Sequence, residues 1–475
     1  LKDTSWKDDS VSLLIVLAAL TFLMVVAYRG YSVILFAPIA ALAAVLVTAP
    51  DLVAPAFTGL YMEKMVGFLK LYFPVFVLGA VFGKVIELSG FSRSIAAAVI
   101  RLVGPQRSIP AIVAVCALLT YGGVSLFVVV FAVYPFAADL FRRSNIPKRL
   151  IPGTIALGAF SFTMDCLPGS PQIQNIIPIA FFKTNIYAAP WLGTLGAAFI
   201  LTAGLLYLDW RRRRAAASNE GYGDNLLNEP ELHDDEQLVN PLVALLPLIV
   251  MWGTNKALTV AIPHIYGESH SFRPAVLGDA APVVQDIAKI AAIWAVEGGL
   301  LVGILTVLAL AWRSVACRFS EGSKPAIAGA LLASANTASE YGFGAVIASL
   351  PGFRVIAHAL MGIPDPLVNE AVTVTALAGI TGSASGGMSI ALAAMSEMFI
   401  RNAQAAGISM EVLHRVAAMA SGGMDTLPHN GAVITLLTVT GLTHRQSYRD
   451  IFAVTLIKTV AVFVVIAIYR LTGIV

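Results

Sequence analysis

Met164-Asp165-Cys166-Leu167-Pro168 recurs in the second half of the chain as Met424-Asp425-Thr426-Leu427-Pro428, changed only at its middle residue. In each copy an apolar run leads into an acid, a proline and a short polar stretch containing glycine. A second apolar run follows: Ile173 to Phe182 after the first copy, Ala432 to Val439 after the second. An Asp-X-Leu-Pro break inside a membrane-length segment is costly. Non-helical backbone survives at membrane depth only where protein buries it or where it lines a watery cavity. Interrupted segments in corresponding halves point to the binding site of a secondary transporter. The sequence therefore predicts a chain organised around this pair.

Composition agrees. Of 475 residues, 58% are hydrophobic and 12% charged, and mean hydropathy is +0.81. A soluble protein carries about 25% charged residues, and this chain has many apolar stretches near the roughly 20 residues that span a bilayer. The predicted class is an all-α polytopic membrane protein. Cys116, Cys166 and Cys317 lie at unrelated spacings in or beside apolar segments and suggest neither a disulfide nor a metal pattern. A net charge of +3 gives no reason to expect a nucleic-acid partner. The polar N-terminus, Leu1 to Ser10, is not read as a cleavable signal, because Val11 to Tyr28 is long enough to span and no cleavage site clearly follows.

Taken in order, Val11–Tyr28, Tyr31–Val47 and Met65–Ser89 read as spans, the third reached through a loose stretch from Pro50 to Gly59. Phe91–Gly104, with Arg93 and Arg101, suits an interfacial helix. Ile109–Thr120 and Leu126–Leu140 are joined at Tyr121-Gly122-Gly123-Val124-Ser125 and form a re-entrant hairpin. The first broken helix covers about 150–182, and Trp191–Trp210 is a span closed by Arg211 to Arg214. Ala215–Asn240 is acidic and reads as a solvated cytoplasmic linker. In the second half, Pro241–Trp252 starts a span, Lys256–Val284 is an external excursion and Ile287–Trp312 returns to Arg313, Arg318 and Lys324. Ala326–Leu350 crosses again, and Pro351–Met361 is interfacial. Leu367–Ile380 and Met388–Ile400 flank a break at Thr381 to Gly387, the second broken helix covers about 412–442, and Ile451–Leu471 is the last span. Basic residues then fall on one face throughout, which gives the halves opposite orientation under the positive-inside rule. The expectation is two inverted-topology repeats: residues 1–105 and 241–362 as scaffold parts, 106–214 and 363–475 as transport parts, and 215–240 as the linker.

The stretch Gly122 to Phe127, the first break with Gln172 and Asn175, and Gly342-Phe343-Gly344-Ala345-Val346-Ile347-Ala348-Ser349-Leu350-Pro351-Gly352-Phe353 resemble the gluconate permease family of the ion transporter superfamily, over nearly the whole chain. With Ser383-Ala384-Ser385-Gly386-Gly387-Met388-Ser389 and Asp425-Thr426-Leu427-Pro428-His429-Asn430-Gly431, the resemblance is greatest to 3-hydroxybutyrate permeases. The second broken helix departs from the gluconate carriers, which favours a smaller hydroxy acid. The resemblance implies proton symport of an organic anion, an elevator motion and a homodimer.

The site can also be read from helix ends. Half-helix N-termini at mid-membrane offer unsatisfied N–H donors and partial positive charge. No Arg or Lys lies within the breaks, so a substrate carboxylate would be held by N–H dipoles and by hydroxyl or amide groups. The candidates are Gly122, Gly123, Ser125, Ser170, Gln172, Asn175, Ser385, Gly386, Gly387, Ser389, Thr426, His429 and Asn430. Ser170-Pro171 has the form of a cap followed by a first-turn proline, with Asn430 at the corresponding place. Plainer roles stay open. Gly-Gly pairs serve close packing, serines bond back to their own helices, and Gln172 and Asn175 can bridge helices. Asp165, Asp425, Glu340 and His429 are the proton-coupling candidates, since an acid at membrane depth is a functional hypothesis by default. The aspartates can equally cap broken helix ends, and Glu340 can sit between scaffold and mobile parts.

Neither a His-Glu-x-x-His nor a Gly-x-Ser-x-Gly with a plausible partner occurs, so an enzyme is not expected, nor is a cofactor or resident metal. The expectation is a carrier importing a short hydroxy-monocarboxylate with protons across a bacterial inner membrane, both termini periplasmic. Sodium coupling and a gluconate-type substrate are the alternatives.

Overall fold

The computed structural model describes residues 2–29, 31–104, 107–124, 126–223, 227–229, 238–272, 283–428 and 430–475. The chain is nearly all helical. Among the described residues, five helices are long and apolar enough to cross a membrane: Pro50–Leu88, Pro190–Ala217, Pro241–Tyr266, Ile290–Ser349 and His444–Thr472. The one pair of strands among the described residues is a ribbon, Ser269–Phe272 antiparallel to Val283–Asp286, a small departure from the all-α expectation.

Each half presents the same order of elements. A hairpin (Ser108–Tyr121 with Leu126–Arg143) precedes an interrupted helix (Ile151–Ala159, Phe162–Asp165, Ile173–Phe182) and the long helix Pro190–Ala217. In the second half the hairpin is Pro366–Thr381 with Ala384–Ala405, the interrupted helix is Met410–Ser421 and Gly431–Thr440, and His444–Thr472 follows. The two closing helices pack on each other, and each interrupted helix packs among them and its hairpin. Glu63–Leu88 and Pro241–Tyr266 instead lie along Ile287–Ser349.

Several boundaries differ from those the sequence suggests. The stretch from Pro50 to Gly59 is helical and continuous with the span after it. Pro50 stands in the first turn, where the missing N–H costs nothing. Residues 256–266 belong to a helix, Pro241–Tyr266, which ends at Gly267, so the excursion is shorter than expected. Ile287–Ser349 is two helices joined at a kink at Ala311 (φ −134°, ψ 31°), beside the expected span end at Trp312, and Arg313, Arg318 and Lys324 are helical in the second of them. A run of charge changes the local composition but does not by itself end an i→i−4 ladder. The second hairpin breaks only at Gly382 and Ser383, and Ser385, Gly386 and Gly387 already form the first turn of Ala384–Ala405.

The described parts of the acidic linker are docked against the bundle. Arg149 forms a fork with Glu220 at 2.6 and 2.7 Å. Glu229 pairs with Arg142 and, at 2.9 Å, with Lys148. Asn228 donates to the Thr438 carbonyl at 2.7 Å. Glu220 and Glu229, expected to face water, instead find Arg142, Lys148 and Arg149 at the end of the first hairpin and just after it.

Candidate functional site

The two repeated acids come to the same place but into different surroundings. Asp165 is 1% exposed. Its Oδ1 accepts from the Cys166 thiol at 3.1 Å, and its Oδ2 has no partner among the described residues. That oxygen lies against Gly422 in the other break, where a methyl group would overlap it. Glycine is needed there for approach between the breaks. Asp425, by contrast, accepts from the Lys458 ammonium at 2.7 Å. The same ammonium donates to the Phe160 carbonyl at 2.8 Å, just past the end of Ile151–Ala159.

A second cation enters from the same half. Arg415, on Met410–Ser421, is fully buried. It donates to the carbonyls of Ala188 (2.7 Å) and Asp165 (3.2 Å), to Asn175 Oδ1 (3.0 Å) and to the Ile186 carbonyl (3.4 Å). These acceptors belong to the first break and the turn after it. The breaks themselves hold no Arg or Lys, as the sequence says, but flanking helices bring Arg415 and Lys458 into them. Each is a single basic residue in an apolar run, Leu413-His414-Arg415-Val416 and Ile457-Lys458-Thr459-Val460. That signal is available in sequence, because a charge at membrane depth is kept for a reason. Glu370, buried within the second hairpin with both oxygens unpartnered among the described residues, was missed in the same way.

Each break is tied to its own hairpin tip by an amide. Gln172 Nε2 donates to the Thr120 carbonyl at 2.8 Å, and Asn430 Nδ2 donates to the Gly382 carbonyl at 2.7 Å. Asn430 also caps Gly431–Thr440, its Oδ1 accepting from Ala432 N (2.6 Å) and Val433 N (3.1 Å). Ser170 does not play the matching part. Its hydroxyl donates to the Thr163 carbonyl at 2.7 Å, and Ile173–Phe182 begins after Gln172 with no side-chain cap. Pro171 lies before that first turn, which is why the cap pattern misled. Asn175 donates to the Ser170 and Ile186 carbonyls, both at 2.9 Å. His414 meets Asn175 Oδ1 at 3.2 Å. Thr426 pairs its hydroxyl with Thr455.

Gly122 and Gly123 lie at the first tip, packed against Leu248, Met251 and Leu300. At the second hairpin, Glu340 from the long bent helix sets its carboxylate against Gly386, where a methyl would again overlap it. Glu340 Oε2 and the buried Ser389 hydroxyl have no partner among the described residues, and Ser385 meets Thr337 at 3.2 Å. Gly387 packs on Leu377 and Ala378 of the other hairpin arm. Ser125 and His429 lie outside the described residues.

The structure thus joins two helix breaks, two hairpin tips, an unpaired carboxylate, an ion-paired one and an uncapped helix N-terminus. Such an arrangement can hold an anion at helix N-termini and take up a cation or proton at Asp165 or Glu340.

No family model matches the chain. The chain is 60% identical over 474 residues to the uncharacterized transporter YxjC of Bacillus subtilis (strain 168), covering 98% of this chain and all of the relative. Its fold is similar to the crystal structure of the YdaH transporter of Alcanivorax borkumensis, with TM-score 0.50, 18% identity and 90% of each chain covered.

Proposed function

We infer, from the premise that the chain belongs to the transporter family of Bacillus subtilis YxjC, that it imports a short hydroxy-monocarboxylate such as 3-hydroxybutyrate together with protons. The observation that carries the site assignment is the meeting of the two breaks, with one oxygen of Asp165 against Gly422 and without a partner among the described residues. The resemblance to the gluconate permease family supports the substrate class. In this reading the N-terminus of Ile173–Phe182 and the hairpin tips bind the carboxylate, and Asp165 and Glu340 are the proton candidates. Residues 106–214 and 363–475 form the moving block, 1–105 and 241–362 the scaffold. The halves are inverted repeats, the motion is of elevator type, and two copies assemble in a bacterial inner membrane with both termini periplasmic.

A rival reading couples sodium instead, drawing on the oxygen donors Thr337, Glu340, Ser385 and Ser389 at the second hairpin. Uptake of labelled 3-hydroxybutyrate into proteoliposomes under separately imposed proton and sodium gradients decides between them, with gluconate as competitor. Proton-driven uptake that gluconate leaves intact supports the proposal. Uptake driven by sodium alone overturns the coupling, strong competition by gluconate overturns the substrate preference, and no uptake by folded protein overturns the substrate class.

A further inference from the structure

A carrier built on interrupted helices places its coupling cation where unwound carbonyls and half-helix C-termini converge, because those ends carry free acceptors and partial negative charge. A hard cation there takes oxygen ligands. In this protein such oxygens are occupied by donors fixed to the chain. The Phe160 carbonyl, at the end of the first half-helix, receives the Lys458 ammonium at 2.8 Å. The Asp425 carboxylate in the other break receives the same group at 2.7 Å. The Lys458 and Asp425 side chains are 1% and 7% exposed, so the pair is closed to water. Other carbonyls around the breaks are engaged as well. Ala420 accepts from the Thr375 hydroxyl at 3.1 Å, Gly423 from Thr459 at 2.9 Å and Thr426 from Tyr448 at 3.1 Å. Arg415 serves those of Asp165, Ile186 and Ala188.

We propose that Lys458 is a tethered replacement for a coupling metal cation. Its ammonium holds the position between the first-break carbonyl and the second-break carboxylate that a sodium ion would otherwise fill. The geometry is the ground for this. One positive charge bridges a helix-end carbonyl to an acid from the other half, and it reaches them on a flexible stem from the closing span. Asp165 Oδ2 lies against Gly422, three residues before Asp425, so the bridge stands beside the other acid. The idea rests on the carrier reading for its consequence, that the free coupling ion is not a metal at this position. The test needs no transport.

Purified protein in detergent, at fixed ionic strength, is melted in sodium chloride and in choline chloride, with radioactive sodium binding measured in parallel. Wild-type protein is expected to bind no sodium at this position and to melt alike in both salts. Lys458→Ala leaves an anionic carboxylate and a free carbonyl. It is expected to melt lower in choline, to bind one sodium per chain and to regain about 3 °C at a hundredfold excess over Kd. Lys458→Ala with Asp425→Asn is expected to lose that response. Recovery of folded Lys458→Ala only from sodium-containing buffer supports the proposal equally. A sodium-specific rise in wild-type melting that Asp425→Asn abolishes overturns it, as does folded Lys458→Ala indifferent to sodium. If Lys458→Ala is unfolded in both salts, Lys458→Gln takes its place, and the wild-type arm still decides on its own. Failure of 3-hydroxybutyrate uptake leaves this binding result untouched, so the two proposals fail separately.

Discussion

The first and second breaks share a five-residue motif and differ in how their charges are settled. In the second, Asp425 is paired with Lys458 and its neighbours are stapled by Thr455, Thr459 and Tyr448. In the first, Arg415 attends to carbonyls and to Asn175, while Asp165 keeps an oxygen without a partner among the described residues. Both cations come from the second half: Arg415 from the interrupted helix, Lys458 from the closing span. The second half thus supplies the cations found at both breaks. A repeated motif therefore does not imply repeated chemistry: one acid is ion-paired and the other has an oxygen without a partner among the described residues.

The strongest way to break this comparison is Arg415→Ala. It strands the Ala188 and Asp165 carbonyls, while Ile186 keeps Gly169 N and Asn175 as donors; each stranded carbonyl is worth about 1–3 kcal/mol. We expect a loss of about 4 kcal/mol, read as a lower melting temperature and a poor yield of monodisperse protein. A near-neutral effect would mean that the first break does not depend on the second half. Asp425→Asn is next, because it leaves the Lys458 charge buried without its counter-charge, at about 3 kcal/mol. Asp165→Asn is expected to cost less than about 1 kcal/mol in stability, having no cation to strand, while abolishing proton-driven uptake. If the two asparagine variants melted alike, the division into a structural and an available acid would collapse.

Gly386→Ala drives a methyl into Glu340 and should cost about 1–3 kcal/mol. Adding Glu340→Ala should recover most of it, and a double-mutant cycle on melting temperature and uptake reads the coupling. The smallest effect is at the linker. The hydrogen-bonded Arg149 guanidinium holds the Glu220 carboxyl below its usual range. A lowered folded value means the contribution is present above the unfolded pKa of about 4.3 and disappears as pH falls through the folded value. With Glu220 40% exposed, Glu220→Gln should cost under about 1 kcal/mol at pH 7 and nothing once wild-type Glu220 is protonated. Melting both proteins across that range checks the sign.

Legibility from sequence followed the range of the interactions. Helix interruptions were visible because proline, glycine and an acid within an apolar run act on their own backbone. The cap at Asn430 was visible for the same local reason, and Ser170 failed because the chain continues past Pro171 before turning helical. Continuity through Arg313 to Lys324 was not visible, since a charged stretch looks alike whether it loops or stays helical.

The sequence by itself determined that this is a helical membrane protein with a break in each half and an acid in each break, because hydropathy, proline and glycine act over a few residues. Only the tertiary structure decided which acid has a partner. Lys458 is 298 positions from Phe160, and Arg415 is 250 from Asp165. A buried charge takes its meaning from whatever the fold brings within about 3 Å, and neighbours in sequence carry no record of that distance.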